Sequence, residues 1–285
     1  MKDKEKAIEK DLKSQFKAEV KEHKAKAITY FVLRFLVIVV MIAQIFNKNW
    51  DNVFMCVLTL VLFLIPTVLE KRLNIELPNT LEIIVLLFIY SAEILGEIQE
   101  YYLIFDKWDD MLHTINGFLC AAIGFAMIDI LNRSDKFHIS LSPLFVAMVS
   151  FCFSMTIGVL WEFFEFFMDF FTHSDMQKDT VLATIYSVMF NPEGVNTAVG
   201  IDVKSMVVNG QLWNYGGYID IGLYDTMHDL WVNFLGAVTF SIIGMFYIKG
   251  RGSGKFAERF IPTLRKKSIK QAGEAEKEGK EDQQS

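Results

Sequence analysis

The sequence predicts an all-α membrane protein: six transmembrane helices, both termini cytoplasmic, and a small extracytoplasmic hairpin-bearing loop. Three observations carry this. First, 52% of the 285 residues are hydrophobic and 14% aromatic, with mean hydropathy +0.30, more apolar than an ordinary soluble domain. Second, six stretches supply the roughly 20 mostly apolar residues that cross about 30 Å of hydrocarbon. Third, basic residues are dense in every other connection. Without water to satisfy the backbone, each crossing must be a helix.

Residues 1–27 form a basic cytoplasmic segment, with nine lysines against six acids and a narrow apolar stripe at Ile8, Leu12, Phe16 and Val20. It reads as a solvated helix or as a surface helix held to anionic lipid. The stretch lacks an early apolar core followed by a small-residue cleavage site, so no cleavable signal peptide is expected and the first span serves as the insertion signal. The membrane domain, 28–248, places spans near 28–47, 51–69, 80–98, 110–131, 141–165 and 226–248. The fifth apolar run continues to Phe171, as in a tilted or projecting helix.

Lys71 and Arg72, then Arg133 and Lys136, and ten basic residues after 248 mark the inner connections, whereas Lys48, Lys107, Lys178 and Lys204 are all that the outer ones hold. This sets the orientation. Trp50, Trp108, Trp161, Trp213 and Trp231 fall at or beyond the outer ends, as an interfacial belt does. Arg34 in the first span snorkels to the inner surface, and Glu82 reads as interfacial. The outer connection, 172–225, has a helical signal over 176–190 and a hairpin signal at Asn209-Gly210. The tail 249–285 is basic, and from about 268 its polar, aperiodic sequence reads as disordered.

Cys56, Cys120 and Cys152 lie inside apolar runs without zinc-type spacing, so they read as small hydrophobes and imply no disulfide framework. The net charge of −6 averages segments of opposite character, and no nucleic-acid partner is expected. The lipid bilayer is the implied environment, in the plasma (inner) membrane.

Three spans carry ionisable residues at helical spacing. Asp110, His113 and Gly117 lie at i, i+3, i+7 at the start of the fourth; Glu162, Glu165 and Asp169 at i, i+3, i+7 at the end of the fifth; Asp225, Asp229 and Asn233 at i, i+4, i+8 at the start of the sixth, beside His228. At about 100° per residue each set occupies one stripe of roughly 60–80°. By the predicted topology all three stripes lie in the outer leaflet, and Glu93 and Glu97 end the third span on the same side. Asp109 has the simpler reading of a helix cap.

So many carboxylates, with Lys107 the one base nearby, need a bound cation, shared protons or a wet vestibule. Asp110, His113, Asp169, Asp225, His228 and Asp229 are the candidate ligands, and oxygen plus imidazole suits Zn, Mn, Mg or Ca. Glu162 and Glu165 are the candidate bases for a metal-activated water. Asn233, with Gly236 and Ala237, is the candidate structural polar residue. No Ser or Cys sits next to a His in these motifs, so covalent catalysis is not expected, and whether the chain is an enzyme stays open.

The set Asp110, His113, Gly117; Glu162, Glu165; and Asp225, Asp229, Asn233, Gly236, Ala237 resembles the YjdF-like family of uncharacterised inner-membrane proteins, and more remotely the VanZ-like proteins. The resemblance covers roughly 80–248. The VanZ-like proteins are associated with glycopeptide resistance, so the resemblance implies an envelope connection without a settled activity. Three functions follow. In the first, the site binds a cation and acts on an envelope lipid or cationic ligand. The alternatives are a proton- or cation-coupled transporter, and a structural or interaction protein whose basic tails recruit cytoplasmic partners.

Overall fold

The computed structural model describes residues 24–73, 75–132, 141–250 and 254–264. Residues 1–23, the Arg133–Lys136 connection and the tail from 265 lie outside them, and with them the readings of a lysine-rich surface helix and a disordered end.

Among the described residues, five helical segments are long and apolar enough to cross a membrane: 24–46, 50–72, 108–129, 143–172 and 223–249. The first is α1 (Lys24–Phe46). The second is divided at Phe63-Leu64 into α2 (Trp50–Leu62) and α3 (Ile65–Leu73). The short strand β1 (Ile75–Glu76) follows, then α4 (Asn79–Tyr90). The run expected as the third span does not stay α-helical, because α4 passes into a π-helix over Ser91–Ile98. A wider turn of this kind rotates the side chains after it and is common at functional sites. A single turn, α5 (Tyr101–Ile104), leads to α6 (Trp108–Asn132), α7 (Pro143–Thr172) and α8 (Leu223–Lys249).

Two bundles result. In one, α1, α2, α4 and the π-helix bury Leu33, Val37, Cys56, Phe63, Leu86 and Ile94. In the other, α6, α7 and α8 pack on one another over Leu119, Ala122, Phe125, Val146, Ala237 and Phe240. Close approach in the second bundle depends on small residues. A Cβ on Gly117 would meet the Asn233 carbonyl, and one on Gly236 the Thr114 carbonyl. Serines bridge the α6–α7 seam, Ser154 Oγ donating to the Gly117 carbonyl at 2.7 Å and Ser150 Oγ to that of Ala121 at 2.6 Å. Gly117 faces Asn233 and Gly244 faces Phe125, so α6 and α8 run parallel and α7 runs against both.

Lipid exposure follows the same logic. Phe163, Phe164, Phe166, Phe167, Phe170 and Phe171 are exposed on α7, while Glu162 just before them and Glu165 among them are buried. Cys56 is buried and Cys152 exposed, and none of the three cysteines is disulfide-bonded.

The connection between α7 and α8 is made of paired strands. β2 (Thr180–Leu182) pairs antiparallel with β7 (Tyr218–Asp220), β3 (Thr184–Ser187) with β4 (Val199–Asp202), and β5 (Met206–Val208) with β6 (Gln211–Trp213). Where the sequence signals a helix over 176–190, it forms β2, β3 and a 3-10 turn at Val188–Phe190. Thr180, Val181, Thr184 and Ile185 are β-branched, and strands distant in sequence give them partners a local helix lacks. Asn209 (φ 51°) and Gly210 (φ 81°) turn β5 into β6 with the left-handed backbone of a two-residue hairpin.

At the other end of the bundle the chain beyond α8 turns back. A 3-10 turn (Ala257–Arg259) buries Ala257, Phe260 and Ile261, and β8 (Thr263–Leu264) pairs with β1. The Phe260 ring lies edge-on to Phe118 at 5.1 Å, and Phe118 likewise to Phe240 at 5.0 Å. Glu82, expected at an interface, is instead fully buried against Lys26 and the Tyr30 hydroxyl.

Candidate functional site

Where α6 and α8 begin and α7 ends, their polar stripes face one another. Glu162 and Glu165 are three residues apart on α7, Asp109 and His113 four apart on α6, and Asp229 lies one turn into α8. In each case helical spacing alone keeps the groups on one face. His113 is 7% exposed. Its Nε2 lies 3.4 Å from Asp109 Oδ1 and 3.9 Å from Asp229 Oδ2, and its Nδ1 lies 3.7 Å from Glu162 Oε1. Both ring nitrogens therefore look at carboxylates, and an imidazole so placed can bind a cation through one nitrogen and orient a carboxylate through the other.

The acids around it are short of partners. Glu162 is 4% exposed and Asp229 2%, yet neither Glu162 oxygen, nor Asp229 Oδ2, nor Glu165 Oε2 has a hydrogen-bond partner at normal length. The polar neighbours of Glu162 are His113 and Thr226. Glu165 Oε1 accepts from Trp161 Nε1 at 2.8 Å. Two sets of possible ligand atoms, Asp109/His113/Asp229 and Glu162/Glu165/Asp229, each lie within 4.8 Å of one another. Distances of that size suit atoms sharing a first coordination sphere.

The other expected residues do different jobs. Asp110 turns away: it accepts from Lys107 Nζ at 2.9 Å and faces His228 Nε2 at 3.2 Å, with His228 43% exposed in its side chain. That hydrogen bond holds the Lys107 ammonium above the usual lysine range. Asp169 accepts from Ser174 Oγ and from the backbone amides of Met176 and Gln177. Asp225 accepts from the Lys178 amide at 2.8 Å, beside a bond from Gln177 Nε2 to Thr226 Oγ1. Asp169 and Asp225 thus fasten the loop that carries β2 to the ends of α7 and α8.

Below the site, Asn233 is buried, accepting from Asn116 Nδ2 at 3.4 Å and donating to Met155 Sδ at 3.6 Å. A Cβ on Gly158 would stand 2.7 Å from its Nδ2. It sits where α6, α7 and α8 meet and closes the floor.

The structure therefore brings together His113, Glu162, Glu165 and Asp229 of the expected set and leaves Asp110, Asp169, Asp225 and His228 in surrounding roles. It adds Asp109, which the cap reading set aside although Asp109 and His113 are i, i+4. It also adds Tyr102 on α5, whose ring packs over Gly96 of the π-helix. Burial, and then the field of Asp109, Glu97, Glu93 and Glu165, raises its phenol above the ordinary range. No sequence signal marks Tyr102, since its approach depends on the turn after the π-helix.

A family model described as "Predicted membrane protein (DUF2238)" matches residues 28–250. That agrees with the YjdF-like resemblance, and nothing supports the VanZ-like one. No curated protein and no solved structure matches the chain.

Proposed function

The chain belongs to the DUF2238 family of predicted membrane proteins, and from that premise we propose that it is a cation-binding protein of the plasma membrane, with its site near the extracytoplasmic surface. In this reading α4 and the π-helix together make a sixth crossing, the paired strands between α7 and α8 lie outside, and both termini are cytoplasmic. The basic connections and the positions of the tryptophans support that orientation.

One observation carries the cation: Asp229 Oδ2 and Glu165 Oε2 are buried without a hydrogen-bond partner beside Glu162, itself 4% exposed, and among the described residues the base facing Asp229 and Glu162 is His113, with no lysine or arginine paired to them. Ionised carboxylates left buried and unpaired cost several kcal/mol each. Asp109, His113 and Asp229 supply two carboxylates and an imidazole, a donor set that fits Zn or Mn and, through its oxygens, Mg. The reaction these groups would permit is hydrolysis: a cation held by Asp109, His113 and Asp229 would supply Lewis acidity, and Glu162 would be the carboxylate base. A substrate reaching so shallow a membrane site is an envelope lipid or a cationic ligand at the outer surface.

The transporter alternative requires a path onward. Beneath Asn233, Phe118, Phe125 and Phe240 pack with Phe260, and the buried Ser150 and Ser154 hydroxyls there donate to backbone carbonyls of α6, which favours a fixed site over a relay. Elemental analysis of the detergent-purified full chain after equilibration with Zn, Mn, Mg or Ca tests the proposal. Stoichiometric metal that disappears in His113→Ala/Asp229→Ala is the expected result, and no metal in the native protein under any of the four conditions overturns it.

A further inference from the structure

The two ligand sets share one residue, Asp229. We infer that the site holds two divalent cations, with the Asp229 carboxylate as the bridge between an Asp109/His113 position and a Glu162/Glu165 position. This inference rests on the cation-binding reading above and deepens it.

Charge makes the first argument. Buried Glu162, Glu165 and Asp229 and part-exposed Asp109 carry four negative charges when ionised and His113 is neutral as a ligand, so one divalent cation leaves half of the cluster's charge uncompensated and a second removes it. Among the described residues no lysine or arginine is paired with Glu162, Glu165 or Asp229, and Lys107 is exposed and turned to Asp110. Geometry makes the second. His113 divides the cluster: its Nε2 addresses Asp109 and Asp229 while its Nδ1 addresses Glu162. Glu162 thus meets the imidazole at the nitrogen opposite to Asp109, and among the described residues neither group of mutually close ligand atoms contains Asp109 together with Glu162 or Glu165. Glu165 Oε2 is buried there without a hydrogen-bond partner, and Glu162, 4% exposed, has His113 and Thr226 at its side, which leaves carboxylate oxygens for a second ion. Asp229 Oδ2 is unpartnered as well, and a carboxylate can bridge two ions through its two oxygens.

The consequence is chemical. Two cations held by Asp109, His113, Glu162, Glu165 and Asp229 would supply the charge that stabilises the attacking and leaving oxygens of a displacement at phosphorus. Glu162 would then be a ligand rather than the base, and the substrate class narrows to phosphate or diphosphate esters, whose oxygens can take open positions on the two ions, lipid-linked ones being those the membrane delivers.

Mn(II) is the probe, because bridged and isolated ions differ by electron paramagnetic resonance. The full chain in detergent is loaded with Mn(II), and metal is counted per chain. The expected result is two Mn per native chain with an exchange-coupled spectrum. Glu162→Gln/Glu165→Gln should fall to one Mn with the six-line signal of an isolated ion, and Asp109→Asn/His113→Ala should likewise fall to one. Asp229→Asn should lose both at a concentration that saturates the native chain, while Asp110→Asn, whose carboxylate faces outward, keeps two. One Mn per native chain with a six-line spectrum overturns the two-cation inference and leaves the single-cation reading standing. Two uncoupled Mn overturn the bridge. No bound Mn, Zn, Mg or Ca overturns both. Stoichiometry and spectrum of the native chain decide these outcomes even if a variant fails to fold.

Discussion

Two clusters of buried acid lie at different places in this protein, and they are neutralised differently. Glu82 is 0% exposed, but Lys26 pairs with it and Tyr30 Oη donates to it at 2.9 Å, with Glu70 sharing the lysine at 3.9 Å. Around His113 the acids outnumber the bases, and among the described residues no lysine or arginine is paired with Glu162, Glu165 or Asp229 as Lys26 is with Glu82. Burial by itself therefore does not distinguish a site, because Glu82 is the more deeply buried. What distinguishes it is the missing counter-charge. The Lys26–Glu82 pair ties α1 to α4 and is complete within the chain, whereas the cluster of α6, α7 and α8 is complete only with something bound.

The largest expected effect breaks the complete cluster. Lys26→Met strands Glu82 in the bundle and should destabilise the protein by about 3–5 kcal/mol, read as a lower unfolding temperature in detergent. The companion Lys26→Met/Glu82→Leu should recover most of that loss, because an apolar pair removes the stranded charge. If Lys26→Met unfolds like the native chain, the two clusters are not different in kind.

The incomplete cluster should respond with the opposite sign. Asp229→Asn removes a buried charge that has no partner, so without divalent metal the variant should be at least as stable as the native chain. Adding metal at about 100 times its dissociation constant should then stabilise the native chain by about 2.7 kcal/mol for each ion bound and leave Asp229→Asn unmoved. A native chain insensitive to divalent metal would make the cluster a set of shared protons.

A smaller effect sharpens the comparison through packing. Gly117→Ala pushes a methyl group against the Asn233 carbonyl and should cost about 1–3 kcal/mol by overpacking. Because it parts α6 from α8, it should also weaken metal binding without touching a ligand; unchanged affinity would show that the helix seam does not set the site's geometry.

Smallest is Asp169→Asn, which weakens the hold on the Met176 and Gln177 amides and should cost about 1 kcal/mol. Faster limited proteolysis of the α7–α8 connection with metal content unchanged is the expected outcome. Lost metal would return Asp169 to the site.

Much of this was legible in the chain. Apolar runs of bilayer length appear in the structure as five crossing-length helices, and the i, i+3, i+4 spacing kept Glu162 with Glu165 and separated both from the lipid-facing phenylalanines. Three spans with acids toward one end were enough to locate a cluster. Less was legible where partners are distant in sequence. The helical signal over 176–190 gave way to strands because Tyr218–Asp220 and Val199–Asp202 fold back onto it. Glu82 has the composition of an interfacial residue, and only α1 packing on α4 brings Lys26 to it.

The sequence by itself determined that this is a membrane protein and which stripe of each helix is polar, because hydrocarbon forbids an unpaired backbone and a helix repeats every 3.6 residues. It did not determine how far each helix is turned about its own axis. Asp109 and Asp110 differ by about 100° of helix rotation, and either spacing to His113 is compatible with one face. Gly117 and Gly236 let α6 and α8 approach until that rotation had one answer, with Asp109 inward beside His113 and Asp110 outward to Lys107 and His228. Tertiary packing made that choice because only contacts between helices can fix an angle to which the backbone hydrogen bonds of a single helix are indifferent.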